Sequence, residues 1–232
     1  MRIALLGYGK MGKTIEKLAQ EKGHEIVARI SSNGDFSELS KADVAIDFSV
    51  PEAAVKNIKS CFEMGIPVVS GTTGWLEHYD EVLKTCQLRN GSFIYASNFS
   101  VGVNLFFELN KKLAEMMKKH KEYTLDIEEI HHTQKLDAPS GTAISLAKDI
   151  INNSDYTNWK LDSATENEIP IKALRIDDVK GTHTVFYRSA IDTLSIKHEA
   201  HSREGFALGA ILAAEWLLGK KGVFTMKDVL GI

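Results

Sequence analysis

Residues 1–31 read "MRIALLGYGKMGKTIEKLAQEKGHEIVARIS", and the order of events within them decides the fold. The apolar run "RIALLGY" has the look of a buried strand. "KMGKTIEKLAQEKG" then repeats its apolar residues at helical spacing and closes at Gly23, and "EIVARIS" is a second strand. Between the first strand and the helix stand Gly7, Gly9 and Gly12 in the pattern G-x-G-x-x-G. Such a turn lets backbone approach a pyrophosphate and aims the unpaired N–H groups of a helix start at it. A glycine-rich turn with no nucleotide is the plain alternative. A binder of NAD usually carries a carboxylate after its second strand, for the ribose hydroxyls. Here Ser31, Ser32 and Asn33 occupy that place. A ribose 2'-phosphate meets no repulsion from them, and Arg29, Lys10 or Lys13 can add charge. NADPH is therefore the preferred cofactor and NADH the alternative.

Outward from this unit the alternation continues: "DVAIDFS" (strand), "PEAAVKNIKSCFEMG" (helix), "IPVVSG" (strand), "LEHYDEVLKTCQ" (helix) and "SFIYASNF" (strand). Val- and Ile-rich strands alternating with helices predict a doubly wound, Rossmann-like parallel sheet covered on both faces. The loops holding Gly71, Thr72 and Thr73, and Ala96, Ser97, Asn98 and Phe99, follow strands at the end where such sheets bind ligands. After Asn98 the pattern changes. A helix of about five turns, "VNLFFELNKKLAEMMKKHK", leads to the strand "YTLDIEEI" and a further helix, "GTAISLAKDIIN". "NNSDYTNWKLDSATENEIP" reads as a polar surface excursion. "KALRIDD", "THTVFYRS" and "DTLSIKHEA" read as three antiparallel strands joined by short turns. The closing apolar helix from Phe206 is expected to return to the first sheet. The fold class is α/β: residues 1–99 and 206–232 as a dinucleotide-binding domain, and 100–205 as a second α+β domain with a mixed or antiparallel sheet, for substrate binding and oligomerisation.

Composition narrows the partners. Hydrophobic residues make up 44% of the 232, charged residues 25%, and the formal net charge is -3. That is ordinary globular chemistry, with no basic excess for nucleic acid or a membrane surface. The two cysteines, Cys61 and Cys86, form no close metal or redox motif. No signal-peptide pattern precedes the first strand, and "FALGAILAAEWLLG" is too short to span a bilayer. A cytoplasmic protein is expected.

Residues 129–142, "EIHHTQKLDAPSGT", concentrate the chemistry. Strand alternation places Tyr123, Leu125 and Ile127 on one face, and the phase then breaks at Glu128 and Glu129. His131 and His132 point to opposite sides of a continuing strand. No cysteine or acidic cluster completes a zinc site at recognisable spacing, so no metal is expected. Ser140 is placed to cap the following helix, with Gly141 and Thr142 exposing N–H groups that suit a carboxylate. Lys135 adds a mobile positive charge. A nucleotide site together with a proton donor and a carboxylate site implies a reductase of a small acid.

These residues closely resemble the signature of the dihydrodipicolinate (4-hydroxy-tetrahydrodipicolinate) reductase family of the diaminopimelate route to lysine. The resemblance extends to "GKMG", "DFSVPE", "GTTG", "SNFSVGVN", "GTHTVFY", "HEAHSR" and "FALGAILAAEWL". It implies His131 as acid/base, Lys135 as proton donor, and His132, Ser140, Gly141 and Thr142 around the carboxylates of a cyclic dicarboxylate. It also implies cofactor contacts at Gly7, Tyr8, Gly9, Lys10, Met11, Gly12, Ser31, Ser32, Phe48, Gly71 to Thr73 and Ala96 to Phe99, and a homotetramer joined through the second domain's sheets. The chain departs from the family pattern in three places: a shorter glycine loop, Ser31 where an acid is common, and Gly181-Thr182-His183-Thr184 for the usual Gly-Glu-His-Thr. Asp137 acquires no role. The rival readings are a reductase of another amino-acid-derived acid, such as an aspartate dehydrogenase, and a nucleotide-binding sensor without catalysis.

Overall fold

The computed structural model describes residues 1–31, 35–202 and 204–232. The chain forms two compact units, Met1–Val101 with Glu204–Ile232, and Gly102–Arg203. Its strands are β1 (Arg2–Leu6), β2 (Glu25–Ile30), β3 (Val44–Asp47), β4 (Val68–Ser70), β5 (Ser92–Tyr95), β6 (Thr124–His131), β7 (Asn158–Leu161), β8 (Glu168–Arg175), β9 (Thr182–Arg188), β10 (Thr193–Glu199) and β11 (Gly222–Phe224). Its helices are α1 (Lys10–Glu21), α2 (Pro51–Glu63), α3 (Tyr79–Leu88), α4 (Val101–Met117), α5 (Gly141–Asn153), α6 (Glu204–Leu217) and α7 (Met226–Leu230).

In the first unit six parallel strands lie in the order β11-β5-β4-β3-β1-β2. Successive side chains serve opposite faces. Ile3, Leu5, Val44, Ile46, Val69 and Ile94 join one core with Ile15 of α1 and Ile211 of α6. Ala4, Leu6, Ala45, Val68 and Phe93 join another with Ile58 of α2 and Val82 of α3. Burial on both faces is why these strands are continuous apolar runs in the sequence. The closing helix α6 does return to this sheet. Its alanines are buried, and Gly209 comes so close to the chain that a Cβ would stand 1.8 Å from the Phe99 carbonyl oxygen. The short β11 and α7 were not foreseen, because runs of three and five residues carry no readable periodicity. The strand order reverses between β1 and β3, so the loops after these two strands border the crevice where such sheets bind ligands.

The second unit holds a mixed sheet in the order β10-β9-β6-β8-β7, with α4 and α5 on one face. Leu125, Ile127, Ile169, Ile171, Val185 and Tyr187 supply the sheet's side of that core. Three expectations are corrected here. β8 runs parallel to β6 and does not pair with β9, whereas β9 is antiparallel to β6 and β10. The chain from β8 to β9 crosses the end of β6, where the Ile176 amide bonds the His131 carbonyl at 2.8 Å. Its shortness suggests a hairpin but does not make one. The polar excursion contains the edge strand β7, parallel to β8. Finally, the phase of β6 does not break: Leu125, Ile127, Glu129 and His131 are all buried while their neighbours are less so.

Candidate active site

Sheet register assembles the site of the second unit. Glu129 stands opposite His183 across the antiparallel β6–β9 pair, and His131 opposite Arg175 across the parallel β6–β8 pair. Glu129 is fully buried. The Ser140 amide donates to both of its carboxylate oxygens at 3.1 Å, and Arg175 Nη2 donates to Oε1 at 3.2 Å. Oε2 lies 3.4 Å from His131 Nδ1 and 3.6 Å from His183 Nε2. Burial alone would push this carboxyl up, but its interactions with His183 and Ser140 outweigh burial and hold it at about 2. For His131 burial is the largest influence and the neighbouring His183 adds to it. Together they push the imidazole down to about 4 against the pull of Glu129.

The ligand atoms of Glu129, His131 and His183 lie within 4.8 Å of one another, a spacing open to a metal ion. The sequence alone supplied no such partners for His131; the sheet supplies two. Arg175 already places a cation 3.2 Å from the same carboxylate.

The loop after β6 is tied to this group. Arg175 Nε donates to the Lys135 carbonyl at 3.2 Å and Nη2 to the Asp137 carbonyl at 2.6 Å, so one guanidinium joins the buried carboxylate to the loop. Lys135 Nζ bonds both Asp137 oxygens at 2.8 and 2.9 Å. This ion pair holds the Asp137 carboxyl below its usual range, and Asp137 thereby gains a structural partner. Ser140 caps α5, its Oγ accepting from the Ala143 amide at 3.2 Å while lying 3.0 Å from His183 Nε2. The amides of Gly141 and Thr142 are those that helix geometry leaves for a ligand, and a Cβ on Gly141 would meet nothing within 4 Å. His132, half-buried, lines a depression together with Thr133, Lys180 and His201.

The nucleotide end lies in the first unit. Gly7 has φ +94°, and a Cβ there would stand 2.2 Å from the Phe48 carbonyl oxygen. At Gly12 a Cβ would be 2.4 Å from the Gly7 carbonyl oxygen, and at Gly71 2.3 Å from the Phe48 ring. Gly9, the residue before α1, faces open space. The first turn of α1 has neither a side-chain cap nor an acidic residue, which suits a pyrophosphate. Thr72 is committed to structure: its hydroxyl donates to buried Asp47 at 2.8 Å and accepts from the Ser49 amide at 2.8 Å. Phe99 is buried, its ring centroid 5.9 Å from that of Phe48, so a ligand contact there falls to backbone. Thr73 and Ser97 are exposed, and Asn98 Oδ1 accepts from the Ser100 amide at 2.9 Å. Ala96 and Met11 pack against the first core.

At the ribose end, Ser31 is exposed, while Ser32 and Asn33 lie outside the described residues. Arg29 was expected to offer free charge. Instead it is paired with Glu16, which also accepts from the Tyr8 hydroxyl. Arg29 and Lys13 stand 5.8 and 5.9 Å from the Tyr8 ring centroid, and Lys10 begins α1.

Sequence reasoning missed Glu129, Arg175 and His183. The available signal was alternation: Glu129 keeps step with Leu125 and Ile127, and His183 with Val185 and Tyr187. A charged residue in core phase is a candidate for a paired, functional role.

A nucleotide-binding parallel sheet, joined in one chain to a unit that buries a carboxylate and two histidines beside a helix start, defines a class: the two-domain nicotinamide-dependent reductases of small acids. Residues 1–99 match the family description "Dihydrodipicolinate reductase, N-terminus" and residues 102–230 match "Dihydrodipicolinate reductase, C-terminus". A protein of Christiangramia forsetii named 4-hydroxy-tetrahydrodipicolinate reductase is 58% identical, over 99% of this chain and 98% of its own. One of the same name from Methanoregula boonei is 34% identical over 97% and 95%. A dipicolinate-bound dihydrodipicolinate reductase from Paenisporosarcina sp. TG-14 shares the fold, with a TM-score of 0.78 at 22% identity over 98% of each chain. The chain belongs to the dihydrodipicolinate reductase family.

Proposed function

We propose that this protein reduces 4-hydroxy-tetrahydrodipicolinate to tetrahydrodipicolinate on the diaminopimelate route to lysine, using NADPH in preference to NADH. The nicotinamide, when bound, supplies the hydride. The glycine turn and the start of α1 bind the pyrophosphate, and the backbone of Gly71 to Thr73 and Ala96 to Phe99 lines the nicotinamide side. In the second unit the amides of Gly141 and Thr142 bind one carboxylate and His132 assists with the substrate. Ser140 shapes that helix start, since its own hydroxyl is engaged by Ala143 and His183. Lys135 donates the proton, and His131 is the hydrogen-bonding acid/base beside the reacting centre.

The observation that carries this reading is the buried Glu129–His131–His183 group beside the Ser140–Thr142 helix start, with Lys135 on the loop between them. The preference for NADPH rests on exposed Ser31 after β2 and on Lys10 and Lys13 at the helix start. We also read the protein as a cytoplasmic homotetramer. What supports the assembly is that Ile130 and Phe186 are half-buried on the sheet face away from α4 and α5. A mass near that of one chain in sedimentation would remove the tetramer.

The test is to generate the substrate enzymatically from pyruvate and aspartate semialdehyde, and to follow nicotinamide oxidation with each cofactor. Turnover faster with NADPH is expected. Faster turnover with NADH would overturn the preference, and none with either would overturn the function.

A further inference from the structure

We propose that Glu129 is a positioning residue: its carboxylate holds the His131 ring with the proton on Nδ1, while Gly181 keeps the Nε2 edge clear for the substrate. The proposal rests on the reading of His131 as the reductase's acid/base. Which imidazole nitrogen carries the proton is set by what the other side of the ring faces. Nδ1 of His131 is buried without a hydrogen bond, and the Glu129 carboxylate lies 3.4 Å away. That separation is long for a closed hydrogen bond, but it decides the sign of the interaction. A lone pair on Nδ1 would face a buried negative charge, whereas an N–H there meets its natural acceptor.

Glu129 cannot turn aside to suit the ring. Both of its oxygens are held by the Ser140 amide and one by Arg175, and no part of the side chain reaches solvent. His183 stands against the His131 ring edge to face, with centroids 5.0 Å apart at 71°. With Nε2 near Ser140 Oγ, His183 is tied to the start of α5 and walls in the imidazole.

The opposite edge of His131 is left free by a residue without a side chain. A Cβ on Gly181 would stand 3.1 Å from His131 Nε2 and 3.3 Å from Cδ2. Gly181 also has φ +153°, at the edge of the region that favours glycine. Fixed by Glu129 and uncovered by Gly181, Nε2 presents its lone pair as an acceptor. Lys135, whose ammonium donates to Asp137, is then the residue of the two on the donor side of the reaction.

The experiment is an NMR spectrum of the whole protein with ¹⁵N-labelled histidines, recorded without substrate, with His131 assigned by the signal lost in His131→Gln. Long-range ¹H–¹⁵N correlations should show a protonated Nδ1 and an unprotonated Nε2. In Glu129→Gln the tautomer should shift towards Nε2–H. The kcat should then fall on the order of 10²-fold or more, as when the carboxylate orienting a catalytic histidine becomes an amide, with the cofactor KM within about twofold. Gly181→Ala should lower kcat and leave the tautomer unchanged. A wild-type His131 protonated on Nε2 overturns the proposal even if Glu129→Gln fails to fold, and so does a folded Glu129→Gln with unaltered kcat. The spectrum needs no turnover, so a protein that failed to reduce the substrate would sink the proposed function and still leave the tautomer to be read.

Discussion

At the carboxyl end of the first sheet Gly7, Gly12 and Gly71 leave no room for a Cβ, whereas at the carboxyl end of β6 the side chains of Glu129, His131, His183 and Arg175 crowd together. The first region works by removing side chains so that its turns can close on one another and on Phe48. The second works by burying ionisable groups that are tolerable only because each is another's partner. The two plans fail differently. A substitution in the first should act through shape, and one in the second through protons and charge.

The largest effect should come from the second region. His131→Ala is expected to cut kcat by about 10²–10⁴-fold, the usual contribution of a general acid or base, in the assay with enzymatically generated substrate. A loss below tenfold would remove His131 from the chemistry. Gly7→Ala strikes the first region. A left-handed φ of +94° and a Cβ 2.2 Å from the Phe48 carbonyl oxygen should together cost on the order of 3 kcal/mol. Urea unfolding would measure that loss, and nucleotide titration should show weaker cofactor binding. Unchanged values in both would mean that the turn tolerates a side chain.

Acid should separate the regions again. His131 sits at about 4 in the folded protein against an ordinary 6.5, so the unfolded chain takes the proton first. Stability present above 6.5 is therefore lost as pH falls from about 6.5 to about 4, by on the order of 3 kcal/mol. Glu129, at about 2 against 4.5, adds a second loss as pH falls below about 4.5. Denaturant unfolding across this range should show the first step in the wild type and a smaller one in His131→Gln, where burial still pushes the His198 imidazole down. A wild type whose stability is flat between these pH values would contradict the buried neutral imidazole. The smallest effect concerns cofactor choice. Glu16→Gln should release Arg29 for a 2'-phosphate and raise the NADPH-to-NADH ratio of kcat/KM a few-fold, about 1 kcal/mol. A ratio that falls or stays fixed would place Arg29 outside the ribose site.

The same contrast explains what the chain's letters disclosed. The first region is local: strand, glycine turn and helix are contiguous, so residues 1–31 fixed the sheet's class, and the apolar excess of α6 sent it back to that sheet. The second depends on partners far apart in sequence. Glu129 looked like a break in the strand because a charge seldom keeps core phase, and its compensation comes from Ser140, Arg175 and His183 on other elements. The direction of β8 was missed for a related reason. The short link from Ile176 to Gly181 allowed a hairpin, but it crosses over the end of β6 and thereby brings Gly181 against His131. The residue types of the loop "HHTQKLDAPSGT" make it a candidate anion and proton site from sequence alone, whereas the pairing of Asp137 with Lys135 needed the folded geometry.

The central claim is that nucleotide binding lies in the shape of the first region and proton delivery in the side chains of the second. Lys135→Ala tests it most directly, because Lys135 bonds only Asp137 through its side chain among the described contacts and its loss should leave the fold intact. Turnover and NADPH affinity measured on the same preparation should part company, with kcat down about 10²–10⁴-fold and the dissociation constant within about twofold. Near-normal turnover, or a loss of nucleotide affinity as large as the loss of turnover, would contradict the claim.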